Sequence, residues 1–178
     1  MTTRRLGVIM LVVAGLVGCS SGGCSSGSEA EDWAGQVCTA LAPWKAAIAD
    51  LNSRGGQQMT GATSVAQTRE SLDGLLAGAE SATETARSKV LAAGVPDVHG
   101  GAAVAASFVS SLTAVRDAYT RAKADLMALP AADDKAFYDG IVLIMGRLND
   151  EYNLSAVDLD GLNSPELKAA FESSPACR

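Results

Sequence analysis

One run of apolar residues constrains folding more than any other feature: Val104, Phe108, Leu112, Val115, Tyr119, Ala122, Leu126 and Leu129, ending at Pro130. Spacings of three and four put these side chains on one face of a helix. An isolated helix gains little stability in water, so such a stripe demands partners. Three other stretches supply them. Val37, Leu41, Trp44, Ile48 and Leu51, with Trp33 a turn earlier, predict an amphipathic helix over residues 31–52. Pro43 lies inside it, where a proline removes the hydrogen bond to the Thr39 carbonyl at a cost of about 3 kcal/mol, so a kink is expected.

The polar, glycine-bearing stretch NSRGGQQMTGAT reads as a loop. A second helix is expected over residues 64–93, with Val65, Leu72, Leu76, Ala79, Thr83, Ala86 and Val90 inward and Gly94 and Pro96 as its stop. The small residues in that stripe imply close helix approach. A fourth helix begins at Asp133 or Asp134 as cap and carries Phe137, Ile141, Ile144, Leu148 and Tyr152. Ser164, Pro165 and Glu166 then start a short fifth helix, serine as cap and proline in the first turn. On the outer face of the third helix, Asp117 and Arg121 have the spacing of an i,i+4 ion pair. No segment alternates with a period of two. The expected fold is all-α: an antiparallel up-down-up-down four-helix bundle with a short fifth C-terminal helix.

The beginning of the chain follows different rules. Residues 6–17 are apolar, but twelve residues fall short of the about 20 that span a bilayer as a helix. Arg4 and Arg5 precede the run and small residues follow it, the layout of a secretory signal. Thr3-Arg4-Arg5-Leu6-Gly7 lacks the rest of a twin-arginine motif, so general secretion is the expected route. Leu16-Val17-Gly18-Cys19 resembles the lipobox of bacterial lipoproteins. The resemblance implies that residues 1–18 are removed, that Cys19 carries a diacylglycerol and becomes the usually acylated N-terminus, and that the chain is lipid-anchored on the extracytoplasmic face of the cell membrane. Cys24 lacks a leucine three residues before it and an adjoining apolar run. The Ala- and Gly-rich, aromatic-poor composition is similar to that of small exported lipoproteins of actinobacteria, mycobacteria included.

Residues 19–29 are expected to form the lipidated cysteine and a Gly/Ser tether, and residues 30–178 the folded domain. Nine residues of this composition reach only about 16 Å, so the domain would sit close to the bilayer. Loss of Arg4 and Arg5 with the signal takes the formal net charge from −6 to −8. An acidic chain argues against nucleic acid and against an electrostatic grip on anionic lipid. In the mature chain Cys24, Cys38 and Cys177 remain, in a compartment where disulfides persist. An up-down-up-down bundle brings both chain ends to one pole, which makes Cys38 and Cys177 the expected pair. Closing so long a loop would stabilise the chain by up to about 5 kcal/mol. Cys24 is left idle, as a competitor for either partner, or as a link between two molecules.

Motifs of chemistry are weak throughout. Gly23-Cys24-Ser25-Ser26-Gly27 matches a nucleophile elbow in letters, but it sits in the tether rather than between strand and helix. Asp158, Asp160 and Gly161 resemble the middle of an EF-hand loop, yet Ala156 and Leu167 would stand where carboxylates are required. His99 with Asp97 reads as a solvated turn, and with no Cys-x-x-Cys the chain offers no zinc pattern. Asp133-Asp134 and Asn149-Asp150-Glu151 read as a cap and a solvated face. Trp44, Phe108, Tyr119 and Phe137 lie on core stripes and are the candidates to line a cavity for an apolar ligand, opened where Pro43 disturbs the bundle.

The expectation is therefore a non-catalytic, membrane-anchored binding or accessory module, with an envelope protein as partner and no cofactor. The alternative is a carrier or sensor of a small lipid-like molecule held in the bundle, and a weaker one is a metal- or haem-binding exported protein. Any protein partner is expected at the loops 52–63 and 129–134 or on a helix face, since the 94–101 loop shares the anchored pole.

Overall fold

A computed structural model describes residues 25–61, 64–155 and 162–178. The proposed signal, Cys19, Cys24 and the Asp158/Asp160 loop lie outside those residues. Five α-helices make up the described chain: α1 Ser25–Gly61, α2 Val65–Ala92, α3 Gly101–Ala128, α4 Asp134–Leu154 and α5 Pro165–Ser173, followed by a single 3-10 turn, Pro175–Cys177. Along the bundle α1 packs on α2, α2 on α3 and α3 on α4, in the expected antiparallel order. No helix among the described residues is long and apolar enough to cross a membrane.

Local chemistry sets most boundaries. The Ser64 hydroxyl accepts from the Gln67 N–H and opens α2, and the Asp133 carboxylate does the same for Ala136 at the start of α4. Ser164 caps α5, with Pro165 in its first turn. After α2 the chain turns through Gly94 at φ 74° and Gly100 at φ 75°. Gly100 is a requirement: a Cβ there would stand 2.5 Å from the Asn163 carbonyl oxygen, so this turn and the start of α5 meet only across a bare backbone.

α1 departs from expectation at both ends. It absorbs Ser25–Ser28 of the expected tether and runs through the expected loop to Gly61, with Pro43 inside a continuous helix. Propensity is a weak prior that packing overrides. At the front, Ala30, Trp33 and Ala34 are buried, and a helix fixed there propagates outward at one hydrogen bond per residue. Toward the far end, Leu51 lies 3.0 Å from where a Cβ on Gly78 would be, and Leu75 lies 3.2 Å from the same point on Gly55. The two glycines admit neighbouring leucines instead of breaking the helix. Arg54 adds an i,i+4 ion pair to Asp50 at 2.6 Å.

Two apolar clusters divide the interior. The proximal one joins Trp33, Val37, Val90, Phe108, Leu167 and Phe171, drawn from α1, α2, α3 and α5. The distal one joins Leu72, Leu76, Tyr119, Leu126, Phe137 and Ile144, drawn from α2, α3 and α4. The fourth helical position is thus shared. α4 fills it in the distal half and ends near mid-bundle, where the Ser111 hydroxyl of α3 donates to the Ser155 carbonyl. α5 packs on α1 and completes the proximal half. Cys38 and Cys177 are joined in a disulfide, with Cα atoms 5.0 Å apart, and it fastens the chain end after α5 to α1.

The outer-face pair Asp117–Arg121 is not formed. Asp117 is taken by its neighbour Arg116 at 2.6 Å, and Arg121 reaches α4 to meet Glu151 at 2.7 Å. Arg147 of α4 likewise meets Asp125 of α3 at 2.8 Å. Bridges between helices replace the local one, because α4 packs alongside α3 and brings a carboxylate within reach.

Candidate functional site

Polar groups that sequence reasoning singled out stay apart. His99 and Asp97 are exposed in the turn before α3, and Asp133 is spent on its cap. Glu151 is held by Arg121. Among the described residues no three His, Cys, Asp or Glu side chains approach as metal ligands would.

The four aromatic candidates do not form one site. Phe108 lies in the proximal core, stacked on Phe171 at 5.4 Å and edge-on to Trp33 at 5.9 Å. Phe137 is enclosed in the distal core beneath the Arg69 guanidinium, 5.2 Å from its ring centre. That guanidinium also donates to the Leu129 carbonyl at 2.7 Å and so ties the start of α2 to the end of α3. Trp44 stands between the clusters. Its indole N–H donates to the Thr83 hydroxyl at 3.0 Å, that hydroxyl donates to the Ala79 carbonyl, and the ring stacks on Tyr152 of α4 at 6.4 Å. Of the four, Tyr119 lines a groove.

That groove, of about 330 Å³, lies in the distal half, between α1 and α4. α1 contributes Ile48, Leu51, Asn52 and Gly55; α2 contributes Leu72, Leu75, Leu76 and Ala79; α3 contributes Tyr119; and α4 contributes Ile141, Met145 and Leu148. Its origin is topological. α1 and α4 are not among the helix pairs that pack extensively along each other, so the seam between them stays open where Trp44 and Tyr152 no longer close it. The volume sits at the lower end of the range for small-molecule pockets. Among the described residues no lining side chain carries a charge, and Asn52 and Tyr119 supply the polar ones.

Tyr119 is 7% exposed, and its hydroxyl makes no hydrogen bond to a described residue. Burial pushes its phenol above the ordinary tyrosine value, with Tyr152 adding to the push. From Met145, which is 41% exposed at the groove's edge, α4 continues the apolar surface outward through Val142, 71% exposed, with Tyr138 a turn away and Leu143 further round. Sequence reasoning missed this edge because it followed one stripe per helix. The available signal was the uncharged run Gly140-Ile141-Val142-Leu143-Ile144-Met145-Gly146, which is apolar on more than one face.

Charged side chains concentrate on the opposite surface, where α2 meets α3. Glu84 accepts from Arg87 and from Arg116, and these bonds, Arg87's first, bring its carboxyl down to about 2 from an ordinary 4.5. Hydrogen bonds from Thr120 and Lys123 lower Glu80 as well. A depressed carboxyl binds protons more weakly in the folded chain than in the unfolded one. Its contribution is therefore complete above pH about 4.5 and is lost as pH falls toward about 2. The difference in stability between the native chain and E84Q should be present at neutral pH, fade across that window and shrink in high salt, as urea unfolding at a series of pH values would read out. A difference unchanged down to pH 2 would contradict the assignment.

Compared with known proteins, the chain matches no family model, no curated protein and no solved structure.

Proposed function

We propose that the chain is a non-catalytic, lipid-anchored binding module on the outer face of the cell membrane, which presents the distal half of its bundle. The observation that carries the binding role is the uncharged groove between α1 and α4, bordered by the exposed apolar edge of α4. Single exposed apolar residues are ordinary, whereas a contiguous patch beside a groove marks a place of contact. The anchoring role rests on the lipobox-like Leu16-Val17-Gly18-Cys19 after an export-type run. Two chains on one diacylglycerol are the kind of attachment that holds a protein stably at a membrane.

The fold gives these two roles a consistent geometry. The front of α1, the disulfide and the 94–101 turn share one pole, as the Trp33 indole bonded to the Gly94 carbonyl and the Cys38–Cys177 link record. An anchor at residue 19 tethers that pole, and the groove begins several helical turns further along α1. Fractionation of cells tests the anchor. The native chain is expected in the membrane fraction with diacylglycerol mass on Cys19, and C19S in the soluble fraction. A native chain that is soluble and carries no acyl mass would overturn it.

A further inference from the structure

We infer that the α1/α4 groove is a binding site for a neutral, single-chain amphiphile, an aliphatic chain ending in an ester, amide or alcohol, with the Tyr119 hydroxyl bonded to its polar end. This names the ligand class for the binding-module reading and rests on it. Four observations specify the ligand. The volume of about 330 Å³ and the aliphatic walls, Ile48, Leu51, Leu72, Leu76 and Ile141 among them, fit one slender apolar chain. The Tyr119 side chain is buried, but its hydroxyl is reached from the groove and makes no hydrogen bond to a described residue, so it is free to meet the polar end of a ligand that enters. Asn52, on the α1 wall, offers a second donor and acceptor.

The fourth observation decides the head group. Among the described residues no lysine or arginine lines the groove, and the chain carries a net charge of −6, so an ionised head has nothing there to pair with. A carboxylate or phosphate placed there would lose its hydration without compensation. An ester carbonyl needs a single donor, which the phenol supplies. The exposed side chains of Val142 and Met145 then extend the apolar surface along which the remainder of the chain lies.

The test uses the full chain carrying C19S and C24S, so that neither a lipid nor a tether thiol interferes. 1-Decanoylglycerol, titrated below its aggregation threshold by calorimetry, is expected to bind one per chain and to raise the melting temperature, while decanoate does neither. Y119F should weaken binding about five-fold, the equivalent of one neutral hydrogen bond. M145E, altered at a partly exposed position, should abolish binding while leaving the helical circular dichroism unchanged. The inference fails if the glycerol ester does not bind, if decanoate binds as well, or if neither variant changes the affinity. It also fails if sedimentation shows a dimer in which the groove is buried between two copies. Because binding is read on an unlipidated chain, its failure leaves the membrane fractionation result untouched, and loss of the anchor leaves the groove as it is.

Discussion

Replacement of Trp33 by alanine is expected to lower stability by about 3–5 kcal/mol, the range for removing a large aromatic side chain from a core. Trp33 is 3% exposed, and its ring lies edge-on to both Phe108 and Phe171 at 5.9 Å. The indole N–H donates to the Gly94 carbonyl at 2.9 Å, so one side chain fastens α1 to α3, to α5 and to the turn after α2. Truncation leaves a cavity among three elements and an unpaired carbonyl beside it. W33F retains most of the ring contact and should cost much less. Urea unfolding followed by circular dichroism measures both; equal losses would mean that ring packing contributes little here. Against a total stability of about 5–15 kcal/mol for a domain of this kind, W33A removes a large share.

Removal of the disulfide by C38S, with C177S to avoid a free thiol, should cost about 2–5 kcal/mol. The link joins residues 139 positions apart, and its release restores to the unfolded chain the freedom of a very long loop. The folded chain should respond locally. The 3-10 turn Pro175–Cys177 and α5 reach the bundle chiefly through α1, so their amides should lose protection in hydrogen exchange before those of α2 and α3. Uniform loss of protection along the chain would show that the proximal and distal halves unfold as one. Because Phe171 of α5 packs on Trp33, W33A should cost less in the disulfide-free background than in the native chain.

Neither change is expected to reach the groove directly. Its walls belong to the distal cluster, and Trp44, stacked on Tyr152 and bonded to Thr83, stands between that cluster and the proximal one. The division matters for the proposed function: if the disulfide pole is the anchored one, as proposed, the opposite half of the bundle is left to meet a ligand.

Most of the helical frame was legible in the sequence. Thr83, Ala86 and Val90 on α2, Phe108 and Leu112 on α3, and Ile141 and Leu148 on α4 are buried as their spacing predicts, because an amphipathic helix has one stable way to turn its apolar face. Ser64, Asp133 and Ser164 cap their helices because the first N–H groups of a helix need acceptors from nearby in the chain. The Cys38–Cys177 pair followed from topology and the number of helices. Where glycine and serine were read as coil, at residues 25–28 and 52–61, contacts from other helices decided instead.

The sequence by itself determined that the described chain is helical, where its stripes face and how most of its helices begin. These depend on residues within one or two turns of each other. The tertiary structure decided that α4 and α5 share the fourth position, that Arg121 pairs across to Glu151, that Trp44 closes part of a seam, and that Tyr119 borders an open groove. Each of these depends on the relative lengths and offsets of helices distant in sequence. A stripe specifies which face is buried, but it does not specify how far its partner extends. The groove exists because α1 and α4, which meet at Trp44 and Tyr152, do not pack along each other through the distal half.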